Sequence, residues 1–283
     1  MKYSFVVNPL SGSKDKKHIV EDITKNFPDC EILYTKYAGH ASELAAGTES
    51  DVVVAVGGDG TVNEVARGLL GTEKILGIIP CGSGDGLALH LGMSRNHKKA
   101  IQQIKNAKIA RMDHGTMNGR PFFCTAGVGF DAKIGMEFSK SGSRGLATYV
   151  RLSARNWFNY QPKHYKICLD GQPAWEGCAV LVTVGNANQW GNNAKICGEA
   201  SLMDGLFDIT IVKPFHTSMF PSLLVRLVRG NEKGCSKILT LRGRSVSIER
   251  DADGPAHFDG EPLQEGKLIN MEMRASSLNV LIP

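Results

Sequence analysis

The chain has 283 residues, of which 42% are hydrophobic, and its 33 Lys and Arg against 28 Asp and Glu leave a formal net charge of +5. That is material for two ordinary domains or one large one, and a mild basic excess suits an anionic ligand or surface without requiring either. The basic residues form no long stripe interleaved with aromatics, so nucleic acid is not expected. The seven cysteines are scattered and never closer than ten residues apart, which excludes a visible disulfide frame or a CxxC metal site.

Residues 3–7, 31–35, 52–56 and 75–79 read as strands, separated by helical patterns near 16–26, 41–46 and 62–70. That alternation predicts βαβ units on a parallel sheet. In the third helix Val62, Val65, Ala66, Leu69 and Leu70 share one face. Thr61 and Glu64 stand at capping-box spacing, which predicts that the helix starts at the loop before it. The N-terminus lacks a signal-type apolar region and no apolar run approaches the ~20 residues of a membrane span. A cytoplasmic protein touching membranes only peripherally is therefore expected.

From about residue 115 β-branched runs alternate with the turn dipeptides Asn118-Gly119, Asp170-Gly171, Asp204-Gly205, Asp253-Gly254 and Asp259-Gly260. This half reads as mostly antiparallel β, interrupted by helices near 146–158 and 217–229. In the second of these Phe215, Met219, Phe220, Leu223, Leu224, Leu227 and Val228 make a broad apolar face, with Arg226 and Arg229 beside it. An interfacial helix has this pattern, and so does a crossover helix packed on a sheet, the reading favoured here.

Two glycine-rich turns follow predicted strands. In Gly57-Gly58-Asp59-Gly60-Thr61 and in Cys81-Gly82-Ser83-Gly84-Asp85-Gly86 the glycines let backbone N–H groups crowd an anion at a helix start. Adjacent parallel strands deliver such loops to one sheet edge. Each turn also carries an acid, which fits a polyphosphate accompanied by a metal. The Walker pattern GxxxxGK[ST] is missing, so positive charge must come from elsewhere, with Lys14 in Asn8-Pro9-Leu10-Ser11-Gly12-Ser13-Lys14 the nearest candidate. Phe258-Asp259-Gly260-Glu261 by itself reads as a hairpin turn.

Taken in order, Asn8-Pro9 with Ser11-Gly12, GGDGT at 57–61, Pro80-x-Gly82-Ser83-Gly84, Gly127-x-Gly129-Phe130-Asp131-Ala132, Asp204-Gly205-Leu206-Phe207-Asp208 and Asp259-Gly260-Glu261 resemble the diacylglycerol kinase and sphingosine kinase family. GGDGT alone is shared with NAD kinases; the six motifs together are far more specific. The resemblance implies an N-terminal α/β domain with a parallel sheet, residues 1–115, which the C-terminal strand 270–283 is a candidate to rejoin. It also implies a mostly antiparallel β-sandwich over 116–269 that takes the lipid.

By the same resemblance the chain is an ATP- and Mg²⁺-dependent lipid kinase acting on a hydroxyl of a diacylglycerol-like or sphingoid lipid at a membrane surface, with a homodimer left open. The alternatives are an NAD kinase or a binding module with weakened turnover. Asn8, Ser11, Lys14, Gly57, Gly58, Gly60, Thr61, Gly82, Ser83, Gly84 and Glu261 map to the nucleotide. Asp59, Asp85 and Asp204 map to metal, Asp131 to the substrate, and Asp259 or Asp59 to the general base. Many bacterial members have Asn-Asp where this chain has Asp85-Gly86, so one acid of their charge network is missing here.

Overall fold

A computed structural model describes residues 1–12, 16–141, 146–191, 194–231 and 234–283. Lys14 lies outside the described residues, as do the side chains of Leu224, Leu227 and Val228. The chain divides into two compact units, residues 1–113 with 275–283, and residues 114–274.

The first unit begins β1 (Tyr3–Val7), α1 (Lys17–Asn26), β2 (Glu31–Tyr34), α2 (His40–Gly47), β3 (Val52–Gly57), α3 (Asp59–Leu69) and β4 (Ile75–Pro80). It continues with α4 (Gly86–His90), α5 (His97–Lys105) and the start of β5 (Lys108–Met117). β1 pairs in parallel with β2 and with β3, and β3 pairs in parallel with β4. The last residues of the chain add one more parallel strand, Asn279 and Val280 lying opposite Ile75 and Leu76. Every residue of β3 and of β4 is buried, as their unbroken apolar runs require of strands covered on both faces.

The helix after GGDGT does not use the expected capping box. α3 starts at Asp59 with Gly58 as its cap and no side chain bonded there. Thr61 instead accepts from Asn8 Nδ2 at 3.0 Å, and Glu64 reaches across to the Ala41 N–H at the start of α2, 3.1 Å away. Both side chains satisfy donors on neighbouring segments, a choice that only tertiary packing can make.

The second unit carries β6 (Arg120–Phe122), β7 (Thr125–Gly129), α6 (Phe130–Lys140), α7 (Leu146–Trp157), β8 (Lys163–Leu169), β9 (Gln172–Ala179) and β10 (Leu181–Gly185). Two short strands follow, β11 (Gln189–Gly191) and β12 (Ala194–Lys195), then β13 (Phe207–Val212), α8 (Phe220–Val228), β14 (Ile238–Gly243) and β15 (Ser245–Arg250). β16 (Gly254–Phe258), β17 (Glu261–Glu265) and the first part of β18 (Leu268–Ile282) complete it. One antiparallel sheet has the order β14-β13-β10-β7-β16-β17. The facing strands β9, β8, β15 and β18 are likewise antiparallel neighbours.

Side chains from both layers, among them Phe122, Phe207, Val182, Ile167 and Ile248, form one buried cluster, with the Phe122 and Phe207 rings stacked at 5.6 Å. This is the sandwich that the alternating pattern predicts. Three predicted turns have both central residues at positive φ: Asn118-Gly119, Asp170-Gly171 and Asp259-Gly260. That is the twist a two-residue hairpin needs.

The other face of the six-stranded sheet carries a second apolar cluster with Phe130, Ile134, Leu181, Val212 and Leu223, against which Phe215 and Met219 pack. Those members of the amphipathic pattern at 215–229 therefore face inward, as a packed crossover helix requires. Val225 remains exposed, beside Arg226 and Arg229.

His114 opens the second unit and is buried, and burial together with the charge of Arg274 pushes its imidazole down to about 4. The unfolded chain takes up that proton near pH 6.5, while the folded protein resists it to about pH 4, so stability falls as pH drops through this window. By pH 4.5 the loss from this one residue is roughly 2 kcal/mol. Urea unfolding of wild type and His114→Gln at pH 7 and 4.5 checks it: the variant should lose less on acidification, and equal losses would remove His114 from the account.

Candidate active site

In the first unit three backbone segments meet at the C-terminal ends of β1, β3 and β4. Cys81 N–H donates to the Gly57 carbonyl at 2.8 Å and Asn8 N–H to the Val56 carbonyl at 3.1 Å. The close approaches need glycine: a Cβ on Gly12, whose φ is +68°, would lie 2.1 Å from the Cys81 carbonyl oxygen. A Cβ on Gly82 would lie 2.7 Å from Gly58 Cα. Asn8 also accepts from Leu10 N–H at 3.0 Å, and Ser11 Oγ donates to the Asn8 carbonyl at 3.1 Å. Asn8, Ser11, Gly57, Gly58, Thr61, Gly82 and Gly84 thus come together around one sheet edge. The first-turn N–H groups of α3, at Asp59, Gly60 and Thr61, have no intrahelical acceptor and make an anion-binding end.

The two acids in this assembly interlock. Asp59 Oδ2 accepts from Asp85 N–H at 2.9 Å and Oδ1 from Gly86 N–H at 2.7 Å, so the carboxylate at the tip of GGDGT holds the start of α4. Asp85, itself at φ +52°, accepts from Gly82 N–H through Oδ1 at 2.8 Å. Its Oδ2 is buried with no hydrogen-bond partner. Burial pushes the Asp85 carboxyl up, as does the charge of Asp59, against the N–H of Gly82 and the cations Arg95 and Lys16. Arg95 secures the outside of the loop, donating to the carbonyls of Ser83 and Gly84 at 3.0 and 2.8 Å, with its Nε 3.5 Å from Asp85 Oδ2.

The second glycine-rich turn therefore directs its Gly82, Asp85 and Gly86 amides at carboxylates and its Ser83 and Gly84 carbonyls at an arginine. Of the two turns, it is the first whose helix-start amides are not directed at a side chain. Neither Arg95 nor Lys16 was singled out from sequence. Arg95 lies nine residues beyond the motif and Lys16 sits in a lysine-rich run, so neither carries a spacing signal.

Among the described residues no three His, Cys, Asp or Glu side chains gather as a metal-binding group. Magnesium, however, is commonly held by one or two carboxylates together with phosphate oxygens and water. The buried Asp85 Oδ2, which has an ion-pair contact with Arg95 but no hydrogen bond, and the neighbouring Asp59 are carboxylates of that kind. Asp204 is placed differently, in the second unit: its carboxylate is ion-paired with Arg242, which also donates to Asp208 at 3.2 Å, and its Oδ1 accepts from Leu206 N–H at 3.1 Å.

The second unit holds the remaining predicted residues. Asp259 occupies the β16–β17 hairpin turn, with Phe258 paired to Glu261. Its Oδ2 accepts from Phe123 N–H at 2.7 Å, and its Oδ1 from Cys124 N–H at 2.7 Å and Thr125 N–H at 3.1 Å. It is thus at once the turn residue its sequence suggests and the anchor of the segment entering β7. Glu261 next to it is exposed. Asp131 is buried at the start of α6, where its carboxylate accepts from Ala132 N–H at 2.9 Å and Thr183 Oγ1 at 3.0 Å and meets His257 Nε2 at 3.0 Å. Its acceptor positions are largely taken up inside the fold.

Comparison with known proteins adds family evidence to this geometry. Residues 2–117 match the diacylglycerol kinase catalytic domain and residues 124–282 the YegS C-terminal NAD kinase beta sandwich-like domain. A diacylglycerol kinase of Bacillus subtilis is 29% identical over 94% of this chain and 92% of its own length. A probable lipid kinase YegS-like protein of Pectobacterium atrosepticum is 26% identical over 96% of this chain and 93% of its own. The crystal structure of a diacylglycerol kinase from Bacillus anthracis superposes with a TM-score of 0.80 at 25% identity, covering 100% of this chain and 97% of that one.

Proposed function

Because the chain belongs to the diacylglycerol kinase catalytic domain family, joined to a YegS-type C-terminal domain, we propose that it is a lipid kinase that transfers the γ-phosphoryl group of ATP to a hydroxyl of a diacylglycerol-like or sphingoid lipid. The observation that carries this reading is the interlock of Asp59 with the α4 amides. It puts two carboxylates near the helix-start amides of α3, which supports a reading in which N–H groups for phosphate and acids for a metal lie along one sheet edge.

In this reading the α3 amides and the glycines around them hold phosphate oxygens, while Asn8, through Thr61, fixes the first loop against the second. Asp85 and Asp59 would hold Mg²⁺, which when bound neutralises charge on the phosphates. Phosphoryl transfer depends mostly on such positioning, so the base need only orient the hydroxyl and receive its proton. Asp59 and Asp259 are the two carboxylates assigned to that proton, with Glu261 as the exposed acid beside the second. Asp204 and Asp131 are engaged by Arg242 and by His257 and Thr183, so a metal at the first or a substrate at the second would have to displace those partners.

No helix among the described residues is long and apolar enough to cross a membrane. In this reading contact with the lipid surface is peripheral, and exposed Val225, half-buried Arg226 and, just past α8, exposed Arg229 form a patch suited to anionic headgroups. The test is labelled ATP with Mg²⁺ and, separately, diacylglycerol, monoacylglycerol, a sphingoid base, ceramide and NAD, with products resolved by chromatography. Phosphorylation of at least one lipid is expected. Product from NAD alone, or ATP binding without any product, would overturn the reading.

A further inference from the structure

Lys16 lies just before α1, is 5% exposed, and its Nζ has no hydrogen-bond partner. It sits behind the glycine junction: a Cβ on Gly12 would be 3.7 Å from that Nζ and 2.1 Å from the Cys81 carbonyl oxygen. Its field reaches Asp85, whose Oδ2 is also buried and without a hydrogen-bond partner. The Asp85 oxygen has the Arg95 guanidinium 3.5 Å away as an ion-pair partner, whereas the buried ammonium of Lys16 is joined to neither by a hydrogen bond. Charges removed from water at such cost are ordinarily closed into a pair.

A ligand that answers Lys16 must offer acceptor oxygens to the ammonium, and beside Asp85 it is favoured when it also carries positive charge. A magnesium-complexed phosphate has this arrangement, and a compact ammonium suits a phosphate as a point charge. We infer that Lys16 is a phosphate-binding residue of the first unit, one that would contact the phosphates of a magnesium-complexed nucleotide near Asp85. This rests on the ATP-dependent reading above and supplies the cation that the glycine loops lack. The competing role, a structural counter-charge for Asp85, makes the opposite prediction for the ligand-free protein.

The full chain carrying Lys16→Met is compared with wild type and with Lys98→Met, an exposed-lysine control, by thermal unfolding without ligand and by calorimetric titration with MgATP and with magnesium tripolyphosphate. Lys16→Met should keep or raise the ligand-free melting temperature, since a thioether replaces an unpaired buried charge. It should weaken both ligands at least tenfold and by a similar factor, because the contact is to phosphate, whereas Lys98→Met should stay within twofold of wild type. Unchanged affinity in folded Lys16→Met overturns the inference, and a lowered melting temperature with unchanged affinity assigns Lys16 to structure. If Lys16→Met does not fold, Lys16→Gln, which keeps a donor for Asp85, carries the same comparison. Wild-type protein that binds neither ligand defeats the ATP-dependent reading itself, and this inference with it.

Discussion

Asp59→Asn is expected to cut turnover at least a hundredfold while lowering stability by about 1–3 kcal/mol. The carboxylate accepts one backbone N–H through each oxygen, from Asp85 and from Gly86. Asparagine has one acceptor oxygen, so whichever way the amide is turned an NH₂ group faces an N–H. The start of α4 then shifts, and with it Asp85, the proposed metal-facing acid. Loss of charge at Asp59 adds to the effect, because the metal and the phosphates it would accompany lose a neighbouring anion. Initial rates on the best lipid substrate, with melting temperature measured in parallel, separate the two contributions. A folded Asp59→Asn protein with wild-type turnover would remove Asp59 from both the metal and the base.

Asp259→Asn is expected to have the larger structural effect, about 2–4 kcal/mol. Three backbone donors, those of Phe123, Cys124 and Thr125, converge on this carboxylate, and an amide oxygen cannot serve all of them. The substitution isolates this term, since asparagine tolerates the φ of +48° found at the turn. Glu261→Gln is the companion variant: the side chain is exposed, so stability should stay within about 0.5 kcal/mol of wild type. Turnover lost in Glu261→Gln with an unchanged melting temperature would support the nucleotide contact assigned to Glu261. Turnover lost only in Asp259→Asn, beyond what its unfolded fraction explains, would place the proton with Asp259. A native melting temperature in Asp259→Asn would show that the amide cradle is not what this carboxylate supports.

Much of the backbone arrangement at this sheet edge is legible in the sequence. Unbroken apolar runs at 52–56 and 75–79 identify central parallel strands, because only strands covered on both faces can afford no polar residue. The glycines at 57, 58, 82 and 84 then mark where their backbones crowd each other, and Asp-Gly and Asn-Gly dipeptides mark hairpins. What was not legible is which partner each polar side chain selects. Thr61 and Glu64 have capping-box spacing, yet Asn8 and the α2 amide at Ala41 take them, from 53 and 23 residues away. Asp131 stands in a motif that suggests a ligand contact, and the fold gives it His257, 126 residues later. Asp204 similarly meets Arg242, 38 residues later, which the β13–β14 register sets opposite Asp208.

By itself the sequence determined the fold class, the family and the sheet edge at which the two glycine turns converge, because periodicity, turn chemistry and glycine placement act over a few residues. Only the tertiary structure decided the charges. It gave Asp59 to the start of α4, clamped the second turn with Arg95, and left the ammonium of Lys16 and Oδ2 of Asp85 buried without hydrogen-bond partners. Electrostatic pairing depends on distance and burial between segments far apart in the chain, and no local pattern encodes either.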